Sequence, residues 1–590
     1  MKYDFSSIPD RKNCGSSKWD CEPNASVDTV PLSVADMEFP TAPEIKNALK
    51  NLVDNTVLGY THATDDFLDS VCSWMKRRHN FDIQKEWIVN TPGVVNALAL
   101  LVEATTNVGD GVIILTPVYY PFDMTIVAKD RVPVYSKLIN NNGHFEIDFE
   151  DLLKKASDKN NTALMFCNPH NPVGRVWSKE ELKRVADICC DNSVFIIDDE
   201  IHHDIIMPKY EHTVLVNASE RVKNNCAICT APSKTFNLAG VQCSNIIIPN
   251  DKVRAKVNAF SMINMQTSLN IFAYTACKTA YNECEQWLDE LISVIDSNAK
   301  YVTDFMAKNF PEIIVSPLEG TYLLWLDMRG LNMTHIELKN MLHNADLYFD
   351  YGEMFGSAGR GYQRINLACS PVTIKNAMEK FKNAVDNTRK QWKNNSAPYH
   401  QTLKKGVKIN GFIYNSLDGE KIDLAENIEK PMLIIFARHY ECEVTEQILS
   451  LLKKSWTVLK VMGYDVKVII QSTAEQLKVA QEKYPFELIA DPKAELYDRY
   501  NVFEADSYIN LIAGDKEFIK LTNGSIRNIL DSDIAEKFAP SLNGENTDNI
   551  KQRQLCAVVA IDTDMTVNYS YYSKTLTDIP SVTELIKALK

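Results

Sequence analysis

Three apolar runs, each ending in a cluster of polar residues, constrain this chain more than any other feature. Ala163-Leu164-Met165-Phe166 leads into Asn168-Pro169-His170-Asn171-Pro172-Val173-Gly174. Val194-Phe195-Ile196-Ile197 leads into Asp199-Glu200-Ile201-His202. Cys226-Ala227-Ile228-Cys229-Thr230 leads into Ser233-Lys234-Thr235-Phe236-Asn237. With Val112-Ile113-Ile114-Leu115, and with amphipathic stretches between them, such runs suit the buried strands of a mostly parallel sheet. Open α/β sheets bind ligands beyond the carboxyl ends of their strands, and the polar clusters fall there. Upstream, Gly93-Val94-Val95 precedes the helix-like Asn96-Ala97-Leu98-Ala99-Leu100. A glycine turn into a helix start is a phosphate cradle.

The α/β pattern runs from about Val112 to Ala368. With 590 residues, the chain is too long for one core. The polar tract Asn387 to Pro398 carries breakers and reads as an interdomain linker. We expect residues 1–390 to form one region, with a large domain over about 40–285 and a small α+β domain from 1–39 plus 286–390. A linker over 391–405 and a second α/β domain over 406–590 follow. In that domain Met432 to Ala437 and Val466 to Ile470 read as strands, and Val444 to Met462 as a helix. Ala557 to Ile561 and Val567 to Tyr571 read as a hairpin turning at Asp562-Thr563-Asp564. The Asn-rich tract near Asn543 reads as a loop.

Charge narrows the partners. A net charge of −14 argues against nucleic-acid backbones and anionic membranes. No uncharged apolar stretch approaches ~20 residues, so no membrane-spanning helix is expected. Met1-Lys2-Tyr3-Asp4-Phe5 lacks the basic start and apolar run of a signal peptide. The 14 cysteines are scattered, which suits reduced thiols and a cytoplasmic location.

The clusters hold the residue types that pyridoxal 5'-phosphate (PLP) chemistry demands: a lysine, an acid for the pyridine nitrogen, phosphate donors, an aromatic for the ring and a cation for a carboxylate. On these residues the chain, from about Tyr3 to Val385, resembles the fold type I PLP enzymes of the aminotransferase superfamily. Within them it is similar to the cystathionine β-lyase/cysteine-S-conjugate β-lyase branch (MalY/PatB-like). Asp10-Arg11, Ser17-Lys18-Trp19-Asp20, Val34-Ala35-Asp36-Met37-Glu38-Phe39, Gly59-Tyr60-Thr61, Gly320-Thr321-Tyr322 and Arg364-Ile365-Asn366-Leu367-Ala368 carry the branch-level likeness.

The resemblance implies roles. Lys234 resembles the Schiff-base lysine, Asp199 the partner of the pyridine nitrogen, Asn171 the residue bonding the ring hydroxyl, and Tyr119 the ring-stacking aromatic. Gly93, Val94 and Val95 would offer backbone N–H groups to the phosphate, with Ser233 and His202 also on the cofactor side. Tyr60 resembles a tyrosine that reaches the phosphate of a neighbouring subunit, which implies a homodimer with a shared site. Arg364 resembles the clamp for the substrate α-carboxylate, with Asp36 and Tyr322 on the substrate side. No arginine stands between Asn237 and Asn245, where aspartate-type aminotransferases carry a phosphate ligand; this fits the lyase branch. The implied reaction cleaves cystathionine or another cysteine S-conjugate to pyruvate, ammonia and a thiol. An aminotransferase on the same scaffold is the alternative.

The region from about Gly406 to Lys590 resembles the peroxiredoxin-like branch (AhpC/TSA) of the thioredoxin fold. Phe436-Ala437-Arg438-His439-Tyr440-Glu441-Cys442, Tyr484 to Pro492, Leu496-Tyr497, Gln552-Arg553-Gln554 and Asp578-Ile579-Pro580 carry it. A thiolate is stabilised at a helix N-terminus, so Cys442 is the redox candidate, with Arg438 beside it. Ile435 and His439 stand where the peroxiredoxin pattern has proline and threonine, and Thr445 stands where a Cys-x-x-Cys partner would be. A redox module and an interaction module both remain open, and either would be a role of a different class.

Other signals have plainer readings. Asp198 to Asp204 is rich in acids and histidines, yet side chains diverge on a strand-to-turn segment, so no metal site is expected. His170 and His202 read as supporting residues. Cys226 and Cys229, Cys189 and Cys190, and Cys556 read as packing cysteines.

Overall fold

The computed structural model describes residues 2–20, 29–333, 335–394, 403–409, 411–426, 428–440, 442–502, 554–574 and 578–589. The middle of the expected linker, Glu441, the Asn543 tract, Gln552 and Arg553 lie outside them. The chain divides into two compact units: residues 1–331 with 339–395, and residues 396–590 with 332–338.

The first unit is built on a seven-stranded sheet. Its strands are β1 (Ile88–Thr91), β2 (Gly111–Thr116), β3 (Val132–Lys137), β4 (Asn161–Cys167), β5 (Phe195–Asp199), β6 (Cys226–Thr230) and β7 (Ser244–Ile247). Their order is β1-β7-β6-β5-β4-β2-β3. Neighbouring pairs from β6 to β3 are parallel, and only β7 runs against both of its neighbours. Every residue of β2, β5 and β6 is buried, as their apolar runs require. The strand expected to stop at Ile197 extends two residues further. Asp198 and Asp199 pair with Phe166 and Cys167 of β4, so Asp199 is the last ladder residue rather than part of the turn.

Helix α1 (Val94–Thr105) follows Gly93 and buries Ala97, Leu98, Leu101 and Val102. A helix apolar on nearly every side belongs in a core. Helix α2 (Lys179–Asn192) starts with a capping box between Ser178 and Glu181. It ends at Ser193, which holds a left-handed conformation and turns the chain into β5. A second, antiparallel sheet takes β8 (Ile314–Val315), β9 (Leu323–Asp327), β10 (Asp350–Tyr351) and β11 (Tyr362–Asn366), in the order β8-β9-β11-β10.

The second unit holds a five-stranded sheet of β12 (Met432–Phe436), β13 (Asp465–Ile470), β14 (Glu487–Ala490), β15 (Ala557–Ile561) and β16 (Val567–Tyr572). The order is β14-β13-β12-β15-β16, with β14, β13 and β12 parallel and β15 and β16 an antiparallel pair. Alternation along β12 serves two cores. Leu433 and Ile435 join Val444 and Leu449 of helix α3 (Glu443–Val461), while Ile434 and Phe436 join Tyr497 and Tyr500. This is the thioredoxin-fold pattern expected from the sequence.

Candidate active site

The carboxyl ends of β4, β5 and β6 lie side by side, so their loops meet around a cavity of about 270 Å³. Asn171, Asp199, His202, Ser233, Lys234 and Tyr119 line it, with Gly93, Val94 and Val95 at the start of α1. The structure thus brings together nine of the residues singled out in the sequence.

Lys234 sits in the short helix Pro232–Thr235, and its Nζ donates to the Ala35 carbonyl at 2.7 Å. Burial lowers its pKa to about 8; the Arg364 charge adds to this, and Asp36 and Asp199 oppose it. Asp199 is buried, and burial pushes its pKa up to about 7, against a hydrogen bond from the Ile201 N–H at 3.1 Å and the Lys234 charge. A buried carboxyl held at that level is poised to take a cationic N–H partner.

Asn171 accepts from Arg364 Nη1 through Oδ1 at 2.9 Å. Its other polar end is an amide donor, the type a phenolic oxygen requires. Arg364 is buried, donates through Nε to Asp350 Oδ2 at 3.0 Å, and lies 4.7 Å from the Phe355 ring centre. A structural ion pair at Arg364 is conceivable from sequence, but Asp36 and Asp199 have other duties and no other acid marks itself as its partner. The register of β10 on β11, which sets Asp350 opposite Arg364, supplies one.

Gly93 has φ +94°, a conformation that strains any residue with a Cβ. It turns the chain so that the first N–H groups of α1 meet the cavity, where an anion fits. Ser233 Oγ donates to the Cys243 carbonyl at 3.4 Å. Tyr119 is mostly buried, and burial raises its phenol to about 12. The His202 ring packs edge-on to Tyr322 at 6.0 Å, its Nδ1 has no hydrogen-bond partner, and burial holds its pKa well below the usual histidine value. The donors, the buried acid and the lysine together fit PLP.

Three residues lie differently. Tyr60 is fully exposed and does not line the cavity. The Asp36 carboxylate faces Arg11 and Lys18, and its neighbour Ala35 is the residue that reaches the cavity. Tyr322 donates its hydroxyl to that same Ala35 carbonyl at 2.8 Å. Ala35 and Gln242 were not foreseen as lining residues: Ala35 stands in a motif but has no reactive side chain, and Gln242 lies outside every motif.

Behind β5, His79, His203 and His212 cluster with two carboxylates. The His79 and His203 rings stack at 4.0 Å and 16°. Ring-nitrogen lone pairs lie in the ring planes, and nearly parallel planes do not converge on one ion. Instead, His79 Nε2 meets Asp204 at 2.7 Å, His212 Nε2 meets Glu200 at 2.9 Å, and His203 lies between Glu200 and Asp204. Burial lowers the pKa of His203, but the two carboxylates outweigh it and hold it at about 9. Trp74 Nε1 and Thr235 Oγ1 also donate to Asp204, so the cluster braces the Lys234 turn. His170 bonds the Pro117 carbonyl at 2.9 Å, and burial lowers its pKa to about 4.

In the second unit Cys442 is fully buried at the N-cap of α3, and Arg438 Nη1 lies 3.3 Å from its sulfur. The Arg438 N–H donates to Thr445 Oγ1 at 3.1 Å. Cys226, Cys229, Cys189 and Cys556 are buried, and burial raises their thiols; Cys190 is half-buried.

Comparison with known proteins adds independent findings. Residues 27–381 match the family "Aminotransferase class I and II", and residues 406–529 match the AhpC/TSA family. The chain is 37% identical over 384 residues to "Cystathionine beta-lyase PatB" of Bacillus subtilis, covering 65% of this chain and 99% of the relative. It is 30% identical to "Protein MalY" of Escherichia coli, over 65% of this chain and 99% of the relative. Among solved structures it is similar to cystalysin from Treponema denticola, which contains a pyridoxal 5'-phosphate cofactor. That likeness has a TM-score of 0.65 and 46% identity, over 66% of this chain and 100% of that one.

Proposed function

Because the chain belongs to the aminotransferase class I and II family, we propose that its first unit is a PLP-dependent carbon–sulfur β-lyase acting on cystathionine or a related cysteine S-conjugate. The observation that carries this reading is the joint placement of Lys234, Asp199, Asn171 and the α1 N-terminus around one cavity, with Arg364 beside it. PLP, when bound, supplies an electron sink for the charge left at Cα.

The chain's own residues do the rest. Asp199, buried and with its pKa raised to about 7, would hold the pyridine nitrogen protonated. The Asn171 amide would donate to the ring oxygen, Tyr119 would cover the ring face, and the N–H groups after Gly93 would hold the phosphate with Ser233 and His202 nearby. The Arg364 guanidinium, oriented by Asp350 and Asn171, would bind the substrate α-carboxylate. Lys234, with its pKa near 8, is partly neutral at mild alkaline pH and would take the Cα proton on Nζ. The Cβ–S bond then breaks, the sulfur leaves with the bonding pair and takes up a proton, and water releases pyruvate and ammonia.

The surface near Tyr60 supports a homodimer. Val57, Leu58 and Tyr60 are exposed side by side in the chain. A second copy would cover this surface and bring its tyrosine to the shared site. Among the described residues no helix is long and apolar enough to cross a membrane.

For the second unit, the Arg438–Cys442 pair supports a redox module over an interaction module. If Cys442→Ser leaves thiol and peroxide handling unchanged, that reading fails. The lyase reading is tested by incubating holoenzyme with L-cystathionine. Pyruvate should form without added keto acid, whereas turnover that requires keto acid and yields no pyruvate would make the protein an aminotransferase.

A further inference from the structure

The short strap Val34–Asp36 has an unusual conformation. Val34 is β-branched and yet sits at φ +54°, in the left-handed region that such residues avoid. The strap is held from several sides. Asn366 Nδ2, at the end of β11, donates to the Val34 carbonyl at 2.7 Å and to the Asp36 carbonyl at 2.6 Å. The Val34 N–H donates to Asp350 Oδ1 at 3.2 Å, while the other oxygen of Asp350 holds Arg364. Asn237, three residues after Lys234, accepts from the Met37 N–H at 2.9 Å and donates to the Met37 carbonyl at 3.0 Å.

What the strap presents is the Ala35 carbonyl, which accepts from both Lys234 Nζ and the Tyr322 hydroxyl. Strain of this kind persists only where the surroundings over-determine it, and it gathers at functional sites. We propose that the Ala35 carbonyl is the docking point for the free Lys234 amine, and that Asn366 and Asp350 are positioning residues that keep the strap in its left-handed turn. Asp350 has a second consequence: the carboxylate-binding arginine and the amine's docking point share one support. The proposal rests on the reading of Lys234 as the cofactor lysine.

The test uses the full chain, with and without cofactor. Asn366→Ala removes both donations, so Val34 relaxes and the Ala35 carbonyl moves away. In cofactor-free protein the Lys234 titration is followed by NMR of ¹³C-methylated lysines, with Lys234→Arg as the assignment control. The midpoint is expected to fall, because the ammonium loses its acceptor. In holoenzyme kcat is expected to fall about tenfold or more, with KM changing less than kcat. Adding Val34→Gly, which adopts positive φ without strain, should restore both readouts.

An unmoved Lys234 midpoint, or a lowered kcat that Val34→Gly does not restore, overturns the proposal. If Asn366→Ala does not fold, Asn366→Ser keeps one donor and should give a smaller shift in the same direction; no shift again overturns it. Failure of the lyase reading is seen separately, as wild-type protein that makes no pyruvate.

Discussion

Replacing Lys234 should stabilise the cofactor-free protein, in a pH window set by the lysine itself. Lys234 is held at about 8 against an ordinary 10.5, chiefly by burial. At 1.36 kcal/mol per pH unit, keeping its charge in the native state costs about 3 kcal/mol at pH 7. The sign follows from proton binding. Below pH 8 the lysine is charged in both states and the native state bears the whole penalty. Between 8 and 10.5 the unfolded chain holds the proton more tightly, so wild-type stability rises with pH. Above 10.5 the penalty is gone. Lys234→Met keeps the volume and loses the bond to Ala35, which offsets about 1 kcal/mol. The variant should therefore be about 2 kcal/mol more stable than wild type at pH 7, with the advantage fading towards pH 10.5. Urea unfolding followed by tryptophan fluorescence reads the first unit, since Trp456 is the only tryptophan after residue 395. A variant no more stable than wild type at pH 7, or one whose advantage grows with pH, would refute the reasoning.

Three further outcomes are expected. Asp199→Asn keeps the shape but not the charge, so kcat for pyruvate formation should fall about 10²–10³-fold in steady-state assays while the cofactor still binds. Gly93→Ala forces a Cβ into φ +94°, which should weaken cofactor affinity by about 1–3 kcal/mol in equilibrium dialysis. Asp204→Ala leaves Trp74, Thr235 and His79 without their shared acceptor, and His203 without one of its two carboxylate neighbours; urea unfolding should show a loss of about 3–5 kcal/mol.

The strand-end clusters were legible in the sequence because an apolar run followed by polar residues marks a buried strand and its turn in one local segment. Lys234, Asp199 and Asn171 are therefore placed by local sequence alone, as is the α3 N-terminus at Cys442. The supports were not legible. Asp350 meets Arg364 only through strand register across 14 residues, and Asn366 reaches Val34 across 332. Neither contact leaves a local pattern. The same holds for His79, which joins Asp204 from 125 positions away. Asp36 is a milder case: its position beside the site was readable, but its ion pairs with Arg11 and Lys18 were not.

The central claim is that Lys234 carries the cofactor, and borohydride reduction of the holoenzyme tests it most directly. Reduction fixes PLP covalently to its lysine, and peptide mass spectrometry then locates it. The predicted result is a single pyridoxyl-modified peptide containing Ser233-Lys234-Thr235, absent in Lys234→Met. Modification of a different lysine, or an unmodified Lys234 in fully loaded protein, would contradict the account.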